Sequence, residues 1–372
     1  MDYRSWAEID LNRLEKNIEN IYSFVKKDIF AVVKADAYGH GAVNVSKHLD
    51  NIPFVKKLCV ATAEEGKELR EAGIKKDILV LGGILPEEIN IFKNYNLKPV
   101  ISDFKQLALV KELSCKGIHI KFDTGMHRLG FYKDALEKIY KIIKQYSLYV
   151  EGIMSHFPSA DMDKFLTQKQ IAEFYSIYRF FLNKGFKIPF VHIQNSAGLV
   201  YDCPFCNAVR VGLAVYGEKP LENFPIPLLT VMSVKAKLIS RKKLKKGESV
   251  SYCGTYTASR DMEIGIVSFG YADGLPRNLS NKGYFLINGK KAPIIGNITM
   301  DMTIVDITNI DVKEGDPVLI VGKNGYREIK FSDVAKMCDT IPYEIMCRIS
   351  KRVKRFIKYN KNKSMQIIGK KT

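Results

Sequence analysis

The stretch Ile29-Phe30-Ala31-Val32-Val33-Lys34-Ala35-Asp36-Ala37-Tyr38-Gly39-His40-Gly41 decides how the rest of the chain is read. Its first five residues are an unbroken apolar run rich in β-branched side chains, the pattern of a strand buried on both faces. Similar short runs recur at 58–61, 78–82, 99–101, 118–122, 150–154, 190–193 and 208–212. Segments of helical period lie between them. Leu14, Ile18, Ile21 and Val25 are one example, and Ile171, Phe174, Tyr175, Tyr178 and Phe181 are another, read as one barrel-facing row. Strands buried on both sides and separated by helices require parallel pairing, with the helices outside. Eight such units close into a barrel. The fold class is therefore α/β, with an N-terminal (β/α)8 barrel over residues 1–225.

The pattern changes near residue 220. Pro220, Pro225 and Pro227 mark a linker, and beyond it Val234, Ala236 and Leu238 alternate with Lys235 and Lys237 as in a half-buried strand. Further β-rich runs follow at 264–269, 284–287, 303–307 and 318–321, and Asn288-Gly289 and Asn324-Gly325 are hairpin signals. Residues 226–360 are read as a mostly antiparallel β domain and 361–372 as a basic tail.

Composition narrows the function classes. Of 372 residues, 46% are hydrophobic and 26% charged, which excludes general disorder. No run approaches 18 apolar residues, so no membrane partner is expected. The first thirty residues scatter Asp2, Arg4, Glu8, Asp10 and Arg13 among apolar ones, unlike a signal or transit peptide, so a cytoplasmic location is the expectation. Seven cysteines at irregular spacing read as thiols; Cys203-Pro204-Phe205-Cys206 has the spacing of a redox or zinc half-site but lacks a second pair. Six histidines show no metal-ligand spacing, so no metal is expected. The net charge of +18 raises nucleic-acid binding as a question. Without a binding motif it is read as a lysine-rich surface, with no nucleic-acid partner.

In a closed barrel, function gathers at the C-terminal ends of the strands. The residues expected there are Lys34 to Gly41, Lys121 to Arg128, Ser155-His156, Gln194-Asn195-Ser196, Arg210 and Gly212. A lysine desolvated at the mouth beside other cations has a lowered pKa and attacks aldehydes. The residue alone leaves open that it reaches into solvent instead. Asn195, Ser196 and Gly212 follow strands seven and eight, where such barrels hold phosphate. An aldehyde and a phosphate together point to pyridoxal phosphate.

These residues carry a resemblance. AVVKADAYGHG (31–41) resembles the cofactor-attachment motif of the alanine racemases. WAEIDL (6–11), KFDTGMHRLGF (121–131), SHF (155–157), HIQNSAG (192–198), VRVGLAVYG (209–217), SYCGTY (251–256), GYADGLPR (270–277) and GNITMD (296–301) continue it in order. The resemblance implies a pyridoxal 5'-phosphate enzyme that interconverts L- and D-alanine for peptidoglycan precursors, working as a homodimer with shared active sites. It implies Lys34 as cofactor anchor and base for the D-enantiomer. Tyr252, lent by the partner subunit, would be the base for the L-enantiomer. Arg210 would face the pyridine nitrogen and His156 would pack on the ring. Tyr38, Ser196, Gly212 and Leu213 would bind the phosphate. Arg128 and Met300 would bind the substrate carboxylate, with Lys121, Tyr271 and Asp301 in support; Lys121 is often carbamylated in relatives. Two departures stand out: Lys351 is aligned with a tyrosine of the final segment that touches the phosphate in some relatives, and Cys253 replaces a frequent glycine.

Other readings share parts of this pattern. A racemase for serine or larger amino acids would use the same barrel machinery. A non-catalytic cofactor carrier would lack the β domain. A decarboxylase on the same two-domain plan would release carbon dioxide.

Overall fold

The computed structural model describes residues 3–113, 117–358 and 366–367. Its strands begin with β1 (Ser5–Asp10), β2 (Asp28–Val32), β3 (Val55–Val60), β4 (Asp77–Val80) and β5 (Lys98–Ile101). They continue with β6 (Ile118–Lys121), β7 (Val150–Met154), β8 (Phe190–His192), β9 (Ala208–Val211) and β10 (Met232–Leu244). Strands β8-β7-β6-β5-β4-β3-β2-β9 pair in that order, every pair parallel. The circle closes between β9 and β8, where the Asn207 N–H donates to the Val191 carbonyl at 3.1 Å and the Arg210 N–H to the Gln194 carbonyl at 2.9 Å. Strands β5, β6 and β9 are buried along their whole length, as two-sided packing requires.

Helices return the chain around the outside. Asp10, Thr62, Asp103 and Asp163 each cap one by accepting the backbone N–H three residues on. Leu14, Ile18 and Ile21 are buried on the first helix as their spacing predicts. On Lys164–Asn183 the predicted aromatic row is only partly right. Phe174 and Phe181 are fully buried, but Tyr175 is 41% exposed and Tyr178 is half-buried against Phe205. Adjacent helical residues diverge by about 100°, so Tyr175 cannot share the face of Phe174.

The second region is a ten-stranded, mostly antiparallel sheet. One part of the barrel reading is corrected here. Strand β1, read with residues 1–225, joins this second sheet, antiparallel to β10 and parallel to Lys354–Lys358. Asn288-Gly289 forms the expected two-residue hairpin, both at positive φ (49° and 77°). The second hairpin turns one residue later than expected, since Asn324 still pairs with Arg327. The proline linker has no regular structure, but Asn17 pins it through the Val215 and Leu229 carbonyls and the Leu229 N–H. Apart from 366–367, the basic tail lies outside the described residues, as does Cys115; the other six cysteines are free thiols.

Candidate active site

Lys34 follows β2 and is half-buried. The chain then makes a left-handed turn: Ala35, Asp36, Ala37 and Tyr38 all have φ between 51° and 54°. Each L-residue there costs about 1–2 kcal/mol, so other groups must enforce the turn. The Glu65 carboxylate accepts the N–H groups of Ala35 (2.7 Å) and Ala61 (2.6 Å), and Asp36 Oδ1 accepts the Ala42 N–H at 2.7 Å. His40 Nδ1 lies 3.0 Å from both the Ala37 and Tyr38 carbonyls. Burial lowers the His40 pKa to about 3, so the ring is a neutral donor to those oxygens. Helix Pro342–Arg348 presses on the turn so closely that a Cβ on Gly39 would stand 2.5 Å from the Met346 carbonyl oxygen. The turn seats the buried Tyr38 ring between Tyr216 and Tyr343, at centroid distances of 5.0 and 5.7 Å.

Around the mouth, Lys34, Arg128 and Arg210 lie close enough for their charges to act on Lys121 and His156, and among the described residues neither they nor Lys121 form an ion pair within 4 Å. Burial, then the Arg210 and Arg128 charges, lowers the Lys121 pKa to about 8. The same causes hold the half-buried His156 neutral, well below its usual range. Burial pulls Arg210 down to about 10, still a cation at neutral pH. Asp123, whose carboxylate accepts the N–H groups of Gly125, Met126, His127 and Arg128, offsets part of this charge at Lys121, but one anion faces four cations. Such an excess of positive charge is a site for anions.

The Arg210 terminal nitrogens are fully used. Nη1 donates to His192 Nδ1 (2.6 Å) and the His192 carbonyl, and Nη2 to the Ser155 and Ile193 carbonyls and His156 Nδ1. The Nε–H finds no acceptor among the described residues. Across the mouth, Ser196 Oγ accepts the N–H groups of Gly212 and Ala214, each at 3.3 Å. A Cβ on Gly212 would stand 2.5 Å from the Tyr38 hydroxyl. Tyr38, Ser196, Gly212 and the buried Leu213 thus line one cradle of hydroxyl and backbone donors. These residues fit pyridoxal phosphate: an amine for the aldehyde, a free guanidinium N–H, and a donor cradle inside a cationic mouth.

The remaining expected residues lie elsewhere. Tyr252 is 71% exposed, Met300 52%, Asp301 52% and Tyr271 41%, all in the β domain. They form one surface: Asn297 donates to the Tyr252 carbonyl, Ser251 to the Asn297 carbonyl, and the Tyr271 and Ala272 N–H groups to the Thr299 and Met300 carbonyls. Arg352 bridges Asp301 at 2.8 Å and Asp273 at 3.4 Å. Among the described residues no hydrogen bond, ion pair or ring contact joins Tyr252 or Met300 to the barrel mouth. Lys351 is exposed, and in the same final segment the Tyr343 ring meets Tyr38. Glu65, Tyr343 and His192 are not singled out by the sequence, although they contact Ala35, Tyr38 and Arg210 of the expected set.

Residues 9–220 match the family described as alanine racemase, N-terminal domain, and residues 231–357 the alanine racemase C-terminal domain. The chain is 44% identical to the alanine racemase of Aquifex aeolicus over 95% of this chain and 99% of the relative. The alanine racemase of Bacillus anthracis with bound L-Ala-P superposes with a TM-score of 0.89 at 32% identity, covering 99% of this chain and 97% of that one. That of Bartonella henselae, with covalently bound pyridoxal phosphate, gives 0.86 at 30% identity, covering 95% and 99%.

Proposed function

The chain belongs to the alanine racemase family, and on that premise we propose that the barrel mouth of one protomer and the β-domain face of a second make one site that interconverts L- and D-alanine. The carrying observation is the excess of cations at the mouth: the Lys34, Arg128 and Arg210 charges all act on Lys121 and His156. Bound pyridoxal phosphate supplies an electron sink that spreads the charge left when the α-proton departs. The residues of the chain do the rest.

Lys34 Nζ would hold the aldehyde of the cofactor and, as a free amine, would carry the proton on the face that makes D-alanine. Tyr252 Oη, from the partner subunit, carries it on the opposite face, for L-alanine. The free Nε–H of Arg210 serves the ring nitrogen. A guanidinium keeps its proton, so Arg210 would leave a bound ring nitrogen unprotonated, which would limit charge delocalisation and disfavour transamination. His156 packs on the ring. Tyr38, Ser196, Gly212 and Leu213 hold the phosphate. Arg128 and the Met300 N–H hold the substrate carboxylate, Lys121 supports Arg128, and Tyr271 and Asp301 line the entrance.

The two-protomer site is supported by the exposure of Tyr252 and Met300 in a single chain, beside a mouth that owns only one of the two bases. Activity in a homodimer and a cytoplasmic location, feeding cell-wall precursors, belong to the same reading; among the described residues no helix is long and apolar enough to cross a membrane.

The test is borohydride reduction of the cofactor-loaded protein followed by mass mapping, with kcat/KM for alanine, serine and lysine. The label falls on Lys34 and alanine leads. A label elsewhere, a preference for lysine, or carbon dioxide release would each overturn the reading.

A further inference from the structure

The interior of a barrel of this kind is normally filled by layers of branched apolar side chains. Here a polar chain runs through it, with each member on a different strand: Arg210 on β9, His192 on β8, His119 on β6, Glu151 on β7, Lys57 on β3 and Asp77 on β4. Arg210 Nη1 to His192 Nδ1 is 2.6 Å, and His192 Nε2 to His119 Nδ1 is 2.8 Å. His119 Nε2 faces Glu151 Oε2 at 3.6 Å, and Lys98 Nζ, from β5, stands 3.9 Å from the same carboxylate oxygen. Glu151 Oε1 accepts from Lys57 Nζ at 2.8 Å, and Lys57 reaches Asp77 at 2.7 Å. Phe30 packs edge-on against both imidazoles, so water is displaced along the chain.

The direction of every bond follows from its ends. A guanidinium can only donate, so His192 Nδ1 accepts and the ring carries its proton on Nε2. His119 Nδ1 must then accept, and His119 presents its own proton at Nε2. A carboxylate can only accept, which is what the far end supplies. Burial keeps both rings neutral: His119 is lowered to about 4 and His192 lies well below its usual range. Burial pushes the Glu151 carboxyl up, but its bonds to His119 and Lys57 outweigh this and hold it at about 2.

We propose that Glu151 is a positioning residue for racemisation: by accepting only, it locks the tautomers of His119 and His192 and so fixes Arg210 with its Nε–H free for the cofactor ring. Buried ion pairs add little net stability, which leaves orientation as what this one contributes. The inference rests on reading Arg210 as the ring's partner. Glutamine in place of Glu151 can donate as well as accept. His119 could then carry its proton on Nδ1, His192 would follow, and an N–H would point at the Arg210 N–H groups.

The experiment uses Glu151→Gln and the double variant Lys57→Met/Glu151→Gln, which removes a cation and an anion together and guards against misfolding from an unpaired lysine. Nitrogen NMR of the imidazoles in the cofactor-free protein reads the tautomers. It is expected to show Nε2–H on both rings in the parent and a tautomer mixture in both variants. In the loaded enzyme kcat is expected to fall about 10- to 100-fold, as when other supporting hydrogen bonds are lost, with KM for alanine nearly unchanged. Pyruvate released by half-transamination, in which the amino group passes to the cofactor and the keto acid leaves, is expected to rise per racemisation turnover. Folded variants that keep a single tautomer and the parental kcat would overturn the proposal, as would lost stability with both readouts unchanged. A parent protein that fails to racemise alanine would sink the functional reading instead, while the tautomer measurement still decides this one.

Discussion

The two halves of the proposed site are built in opposite ways. The barrel mouth is buried and over-determined: four residues in a left-handed turn are tied by Glu65, Asp36 and His40, and Arg210 has its terminal nitrogens fully engaged. The β-domain face is open: Tyr252 is 71% exposed, and its neighbours hold it only through backbone contacts. The cofactor side is thus pre-organised in a single chain, whereas in the proposed site the environment of the second base would come from another protomer. Preorganised polar groups act without a reorganisation cost during the reaction, so under the proposal the mouth would bind cofactor alone while chemistry would need both halves.

The largest expected effects fall on the two bases. Lys34→Ala and Tyr252→Phe should each lower kcat by about 10²- to 10⁴-fold, the range for loss of a positioned acid–base group. They should differ in kind: Lys34→Ala loses the borohydride label, whereas Tyr252→Phe keeps it and loses α-deuterium exchange from L-alanine more than from D-alanine. Equal loss from both enantiomers in Tyr252→Phe would erase the contrast between the halves.

A smaller effect should follow Gly212→Ala, which pushes a methyl against the Tyr38 hydroxyl at 2.5 Å. Cofactor affinity, measured by fluorescence titration, should fall by about 100-fold, equivalent to about 2.7 kcal/mol, with thermal stability much less affected. Smaller still is the pH response of Lys121. Its amine, with a pKa lowered to about 8, is mostly charged at pH 7 and mostly neutral at pH 9. Only the neutral amine adds carbon dioxide, so bicarbonate should raise the carbamate mass signal several-fold across that interval, and Lys121→Met should abolish it. The smallest effect concerns the open half. Cys253 holds φ 65°, a conformation that glycine adopts without strain. Cys253→Gly should change stability by no more than about 1 kcal/mol in chemical denaturation and leave kcat near the parental value.

Much of the barrel was legible because two-sided burial writes itself as short apolar runs, and the ends of those runs put Lys34, Lys121, His156 and Arg210 at one mouth. Strand β1 was grouped with the barrel because a six-residue segment with buried Trp6, Ala7 and Ile9 does not state which sheet receives it. The left-handed turn was invisible for a different reason. Ala35, Asp36, Ala37 and Tyr38 carry no glycine to announce positive φ; Glu65, thirty residues away from Ala35, enforces it. The contact of Tyr343 with Tyr38 is not legible in the sequence, because the approach of the final helix is set by the close fit of Gly39 against Met346, a tertiary contact with no local signature. The polar chain from Arg210 to Glu151 joins side chains from separate strands, so no spacing along the sequence could have drawn it.

The division of labour between protomers is tested most directly by mixing Lys34→Ala and Tyr252→Phe subunits, each nearly inactive alone, and measuring racemisation after reassociation. Random pairing should restore about a quarter of parental activity, because half the dimers then hold one intact site of two. Activity that stays at the level of the separate variants, in a mixture proven to contain hybrid dimers, would contradict the account.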